Sequence, residues 1–191
     1  MQRTGFRWTI AVGAALLAVP LLAVADTDNR VAKSPSDAEL IKIALSAAPA
    51  GVAKHAAVVT MDADGTMRTL RKGANGFTCT AGNLKLPGPD AMCADAAAMA
   101  WMRAYMDRKA PPSRVGLAYM LAGGTDVSNT DAFAPAPVRG GKWVRTGPHV
   151  MILGADKAFY LQYPNGADPD TSAPYVMWAG TPYEHLMAPT Q

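Results

Sequence analysis

Glutamate is almost missing from this chain: Glu39 and Glu184 are the only two in 191 residues. Each follows a serine or threonine by three residues in a helix-start pattern. Neither is therefore spare for paired-carboxylate hydrolysis, which would have to use aspartates. Histidine is scarce too, with His55, His149 and His185 making up all three. No serine stands in a G-x-S-x-G context, and neither H-E-x-x-H nor a P-loop occurs. Gly123-Gly124 and Gly140-Gly141 lack the spacing and following helix that phosphate binding needs. The standard catalytic signatures are absent, and no cofactor is expected.

Long apolar runs are also missing, with one exception at the start. Arg3 and Arg7 precede an apolar stretch from Trp8 to Val24, and Ala23-Val24-Ala25 supplies a small-x-small cut site. That pattern predicts a signal peptide over residues 1–25 and a periplasmic or secreted protein beginning at Asp26. The run approaches the length of a short membrane span, roughly 17–20 residues. Pro20 and the small residues after it favour cleavage over retention as an anchor. No cysteine follows the run to be acylated, and the two arginines are not adjacent, so lipoprotein and twin-arginine routes fall away. No membrane association is expected after signal cleavage.

The remaining chain, Asp26 to Gln191, has a length suited to one domain with a real core. Loss of Arg3 and Arg7 takes the formal net charge from +3 to +1. So balanced a surface argues against nucleic acid as a partner, since phosphate backbones reward clustered Lys and Arg. Cys79 and Cys93 are the only cysteines. Outside the cytoplasm an isolated pair reads as one disulfide, and closing its 15-residue loop stabilises a fold by roughly 3 kcal/mol. There is no C-x-x-C to suggest redox chemistry.

Along the chain, residues 26–35 are polar and aperiodic and read as a disordered leader to a domain over 36–188. Ser36-Asp37-Ala38-Glu39 is a capping box, and Leu40, Ile41, Ala44, Leu45 and Ala48 form the apolar stripe of the helix behind it, with Pro49 as its stop. Ala56–Met61 and Thr66–Lys72 read as strands around a turn at Asp62-Ala63-Asp64-Gly65. A calcium loop would place Thr60 and Arg71 at its first and last ligand positions, where carboxylates are needed.

A long helix is expected from about Ala91 to Lys109, with Asp90 as its cap and an alanine-rich interior. Met92, Met99, Met102 and Met106 would then share one face. Thioethers suit Cu(I), although methionine also fills irregular cores. Asp95 falls inside that stripe, in what would be the first turn. Strands are expected at Val115–Leu121, His149–Leu153, Ala158–Tyr163 and Tyr175–Trp178. Thr181-Pro182-Tyr183-Glu184 then reads as a second capping box for a short terminal helix. The pattern predicts an α+β fold, a single domain with a mostly antiparallel sheet packed with two main helices. One disulfide and a long irregular loop from Ala122 to Gly147 complete the picture.

That loop holds the candidate site. A structureless segment of about 25 residues inside a domain is uncommon and is usually functional or mobile. Asp126, Ser128, Asn129 and Asp131 crowd into it, and His149 stands where it re-enters the sheet, behind Pro148. An imidazole near aspartate and serine serves as a base, a hydrogen-bonding group or a metal ligand. The plainer reading is that Asp, Ser and Asn are bonding their own turns. Tyr183 and His185 form a second candidate, with His185 able to join His149 in a zinc or copper site. Trp143, Tyr175, Trp178 and Tyr183 are placed either to line a cleft or to fill the core.

Four segments carry a family resemblance: GANGFTC (Gly73 to Cys79), YMLAGGTDVSNTDAFAP (Tyr119 to Pro135), TGPHVMI (Thr146 to Ile152) and YVMWAGTPYEHLM (Tyr175 to Met187). Together they resemble a family of small exported bacterial proteins of uncharacterised function, over about Leu70 to Met187. Ala132 departs from that pattern, which has proline there, and this touches only the local loop shape. The resemblance implies an exported bacterial domain and transfers no activity, cofactor or catalytic residue. The resulting expectation is a soluble ligand- or protein-binding accessory domain, its partner a small molecule or another protein. The alternatives are a small hydrolase using His149 with Asp126 or Asp131, and a copper- or zinc-binding protein.

Overall fold

The computed structural model describes residues 34–135 and 143–190. The signal peptide, the leader up to Lys33, and residues 136–142 of the long loop with its Gly140-Gly141 pair lie outside the described residues.

The first element begins as its cap dictates. Ser36 Oγ accepts from the Glu39 N–H, while Glu39 Oε2 accepts from the Ser36 N–H at 2.7 Å. That reciprocal pair satisfies two otherwise orphaned donors and starts α1 (Asp37–Leu45). Pro49 then opens a single extra turn, α2 (Ala50–Ala53). Two strands follow, β1 (Ala57–Met61) and β2 (Met67–Arg71), joined by a tight turn rather than an ion loop. Asp64 Oδ1 accepts from the Thr66 N–H, and Gly65 supplies the left-handed φ of +82°.

Beyond them come β3 (Phe77–Thr80), β4 (Met92–Asp95), α3 (Ala96–Met106), β5 (Gly116–Met120) and β6 (His149–Leu153). The chain ends with α4 (Lys157–Tyr160), β7 (Tyr175–Met177) and β8 (His185–Pro189). Among the described residues, all eight strands belong to one sheet in the order β2-β1-β3-β4-β5-β6-β8-β7, antiparallel except for the β1–β3 pair. The fold is broadly α+β, with more sheet than helix.

Strand alternation divides the core between the two faces. One face carries Met92, Ala94, Ala118, Met151, Leu153, Tyr175, Met177 and Met187, packed with Trp101 of α3. On the other, Val58, Cys79 and Cys93 pack with alanines of the α1 region. Further along that face, Val176 and Leu186 meet Tyr160 of α4. Cys79 and Cys93 are register partners on β3 and β4, are bonded as a disulfide, and are fully buried.

Three expectations are corrected. The helix from Ala91 to Lys109 is instead a strand followed by a shorter helix. Asp95, not Asp90, is the cap, with its Oδ1 accepting from the Ala98 N–H at 2.8 Å and its Oδ2 from the Leu117 N–H at 3.0 Å. Residues 92–94 are buried on both sheet faces, so they are apolar without alternation, and periodicity cannot separate such a strand from a helix. The four-methionine stripe therefore does not form. Met92 is buried in β4, and Met106 at the far end of α3 is 51% exposed.

The strand expected at Ala158–Tyr163 is α4 and its following turn, because Asp156 Oδ1 accepts from the Phe159 N–H at 2.8 Å. Nor does the terminal helix form. Thr181 Oγ1 accepts from the Tyr183 N–H, and Glu184 Oε2 reaches back to the Gly180 N–H at 3.0 Å, so the capping residues close a turn instead. Residues 185–189 then fill the gap between β6 and β7, where both edges are hydrogen-bonded.

Candidate functional site

The described parts of the long excursion are tied to the body at many points. Gly124 donates to the Thr146 carbonyl at 2.8 Å, and Thr146 Oγ1 donates to the Thr125 carbonyl at 3.0 Å. Val127 and Val144 form an isolated antiparallel bridge. Trp178 donates twice, from its backbone to Asn129 O at 2.9 Å and from Nε1 to Ser128 O at 2.8 Å. Tyr105 donates its hydroxyl to Ala132 O at 2.9 Å. A Cβ on Gly124 would lie 3.3 Å from His149 Cε1, so the loop backbone rests directly on that imidazole.

Most polar candidates within the loop serve its own geometry. Ser128 Oγ accepts from the N–H groups of Thr130 and Asp131, and Asp131 Oδ1 accepts from the Phe133 N–H at 2.9 Å. These are the local turns that such side chains favour. Asn129 is buried and donates from Nδ2 to Gly166 O at 2.7 Å, stapling the loop to the segment before β7. Its Oδ1 is buried without a partner among the described residues. Asp126 is exposed.

The two buried histidines share one sheet face but do not converge. Across the β6–β8 register His185 opposes Leu153, four residues from His149, a rise of about 13 Å along the strand. His149 Nδ1 lies 2.6 Å from Gly147 O, and His185 Nδ1 lies 2.9 Å from Tyr183 O. A carbonyl only accepts, so each Nδ1 carries the proton and each neutral ring keeps its lone pair on Nε2. Burial lowers the pKa of His149, against the opposing pull of the Gly147 carbonyl. Burial likewise brings His185 down to about 4, and a charge on His149 would disfavour its ionisation further.

His185 is walled edge-on between the rings of Trp101 and Trp178, at centroid distances of 5.5 and 4.9 Å. Tyr183 stands beside it in the same aromatic cluster, edge-on to Trp101, Tyr105 and Phe133. Among the described residues, no group of three or more His, Cys, Asp or Glu is placed to hold a metal ion.

Two hollows flank the segment Arg145–Pro148, which walls both. The larger, about 430 Å³, is bounded by Pro87-Gly88-Pro89, the start of the long loop including Asp126, and Trp143. The smaller, about 140 Å³, is lined by His149, Thr171, Tyr175, Met187 and Pro189. Asp126 and His149 thus line different hollows, and His185 lines neither. Burial raises the pKa of Tyr175 to about 12, so its phenol keeps its proton at neutral pH.

Sequence reasoning passed over two residues of this region. Arg145 sits four residues before His149 on the same re-entering segment, and that proximity was its only signal. Thr171 lies far from His149 in sequence and had none. Comparison with known protein families, curated proteins and solved structures yields no match to this chain. Among the described residues, no helix is long and apolar enough to cross a membrane.

Proposed function

We propose that this chain is an exported accessory domain that binds a small ligand in the hollows on either side of Arg145–Pro148. The observation that supports this most is the construction of the wall between them. It is held by Gly124 and Thr125 from one side and joins β6 on the other, so the concavities are preformed. Pre-organisation favours binding because little ordering remains to be done. Neither Asp126 nor Asp131 is hydrogen-bonded to His149, and Ser128 is occupied in its own turn, which favours binding over hydrolysis. A buried disulfide fits residence outside the cytoplasm, as does the family that the motifs resemble.

A small-molecule fragment screen against isotope-labelled protein tests the reading. Amide shifts are expected to cluster at Arg145–His149 and the facing residues of the hollows. If every responding fragment maps elsewhere, or none responds, the reading is wrong.

A further inference from the structure

We infer that Met61 and Met67 form a methionine-oxidation site on the β1–β2 hairpin, which a peroxide modifies without unfolding the protein. The two residues are direct register partners, Met61 on β1 and Met67 on β2. Side chains of such a pair leave the sheet on the same face, with Cβ atoms about 5 Å apart. Arg68, next along β2, reaches Asp37 of α1 at 2.9 Å, so alternation turns Met67 to the face away from that helix. There both residues are open to solvent, Met61 at 52% and Met67 at 45% exposure. Among the described residues, no strand lies beyond β2, and neither methionine belongs to a core cluster. Elsewhere in the sheet Met92, Met151, Met177 and Met187 are each at 6% exposure or less.

The chemistry follows from that contrast. A sulfur lone pair attacks one peroxide oxygen and the O–O bond breaks. The sulfur keeps that oxygen as a sulfoxide, while the peroxide is reduced and its second oxygen leaves as water. Each side chain thereby exchanges an apolar tip for a polar one. In the core that new dipole would be desolvated and would break packing. On the open face of the hairpin water solvates it, and the clusters that hold the fold are not touched.

The test is treatment of the folded full chain with hydrogen peroxide, with oxygen uptake followed residue by residue by peptide mass mapping. Met61 and Met67 should convert at least about tenfold faster than Met151, Met177 and Met187, whose sulfurs a peroxide reaches only through opening fluctuations. Met106, 51% exposed at the end of α3, is the internal reference, and the pair should keep pace with it. Near-UV circular dichroism should be unchanged once the pair is oxidised and the buried methionines are still reduced. Conversion of Met61 and Met67 no faster than that of the buried three overturns the inference. So does loss of the near-UV signal in step with their conversion, which would make the pair part of what holds the fold.

Discussion

Trp178 holds a backbone φ of +57°, a left-handed conformation that a bulky residue adopts only under external constraint. Its constraints are visible: the backbone N–H and Nε1 both donate into the long loop, and its carbonyl accepts from Thr181 Oγ1 at 2.7 Å. Its ring stacks on Tyr105 at 5.3 Å. Trp178→Phe keeps an aromatic ring but leaves Ser128 O without its donor, and should destabilise by about 1–3 kcal/mol in urea denaturation. An unchanged midpoint would remove Trp178 as the anchor of the loop.

His185 makes a second prediction at this scale. Its folded pKa of about 4 lies below the roughly 6.5 of an unfolded histidine, so on acidification the unfolded chain takes up the proton first. Stability should be level above about pH 6.5 and fall by up to about 3 kcal/mol as pH drops to 4, with the lowered pKa of His149 acting in the same direction. Urea midpoints at pH 7 and pH 4.5 measure the drop. His185→Gln should remove much of it, and an equal drop in the variant would mean other groups are responsible.

At the scale of elements, the junction of β4 and α3 depends on one carboxylate. Asp95 caps α3 through the Ala98 N–H and also accepts from Leu117 on β5, so a single side chain fixes the helix start and ties it to the sheet. Asp95→Ala should cost about 1–3 kcal/mol through the lost cap and the unpaired Leu117 donor. Asn is as good a cap as Asp, yet only its oxygen accepts, so Asp95→Asn should still destabilise. Thermal unfolding that ranks Asn level with Asp would show that the link to Leu117 contributes nothing. Close packing at the same junction leaves no room at Gly116, where a Cβ would collide with the backbone of Ala98.

Across the whole molecule, the disulfide joins the neighbouring strands β3 and β4 beneath the α1 region. Cys79 and Cys93 are both fully buried, so alkylation in the presence of reductant should be negligible until the chain unfolds. The double variant Cys79→Ala with Cys93→Ala should lose roughly 3 kcal/mol, read from the denaturation midpoint. Rapid labelling of the native protein would place these sulfurs at the surface and break the description of that core.

Much of the local structure was legible in the sequence, because its causes act within a few residues. The box at Ser36 and Glu39, the Asp64-Gly65 turn and the apolar run of β6 each predict what is found. Strand β4 was not legible, since burial on both faces erases the alternation that identifies a strand. Residues 185–189 were not legible either, because strand partners from β6 and β7 overrode a helix-start pattern. The site divides the same way. The sequence singled out His149, but its separation from Asp126 into different hollows depends on how segments far apart in the chain pack around Arg145–Pro148. By itself, then, the sequence determined the caps, the turns and, having only two cysteines, which sulfurs pair. Tertiary structure alone decided that His185 is enclosed by indoles and that Tyr175 and His149 share a cavity. Those outcomes depend on contacts between segments far apart in the chain, and no local pattern encodes them.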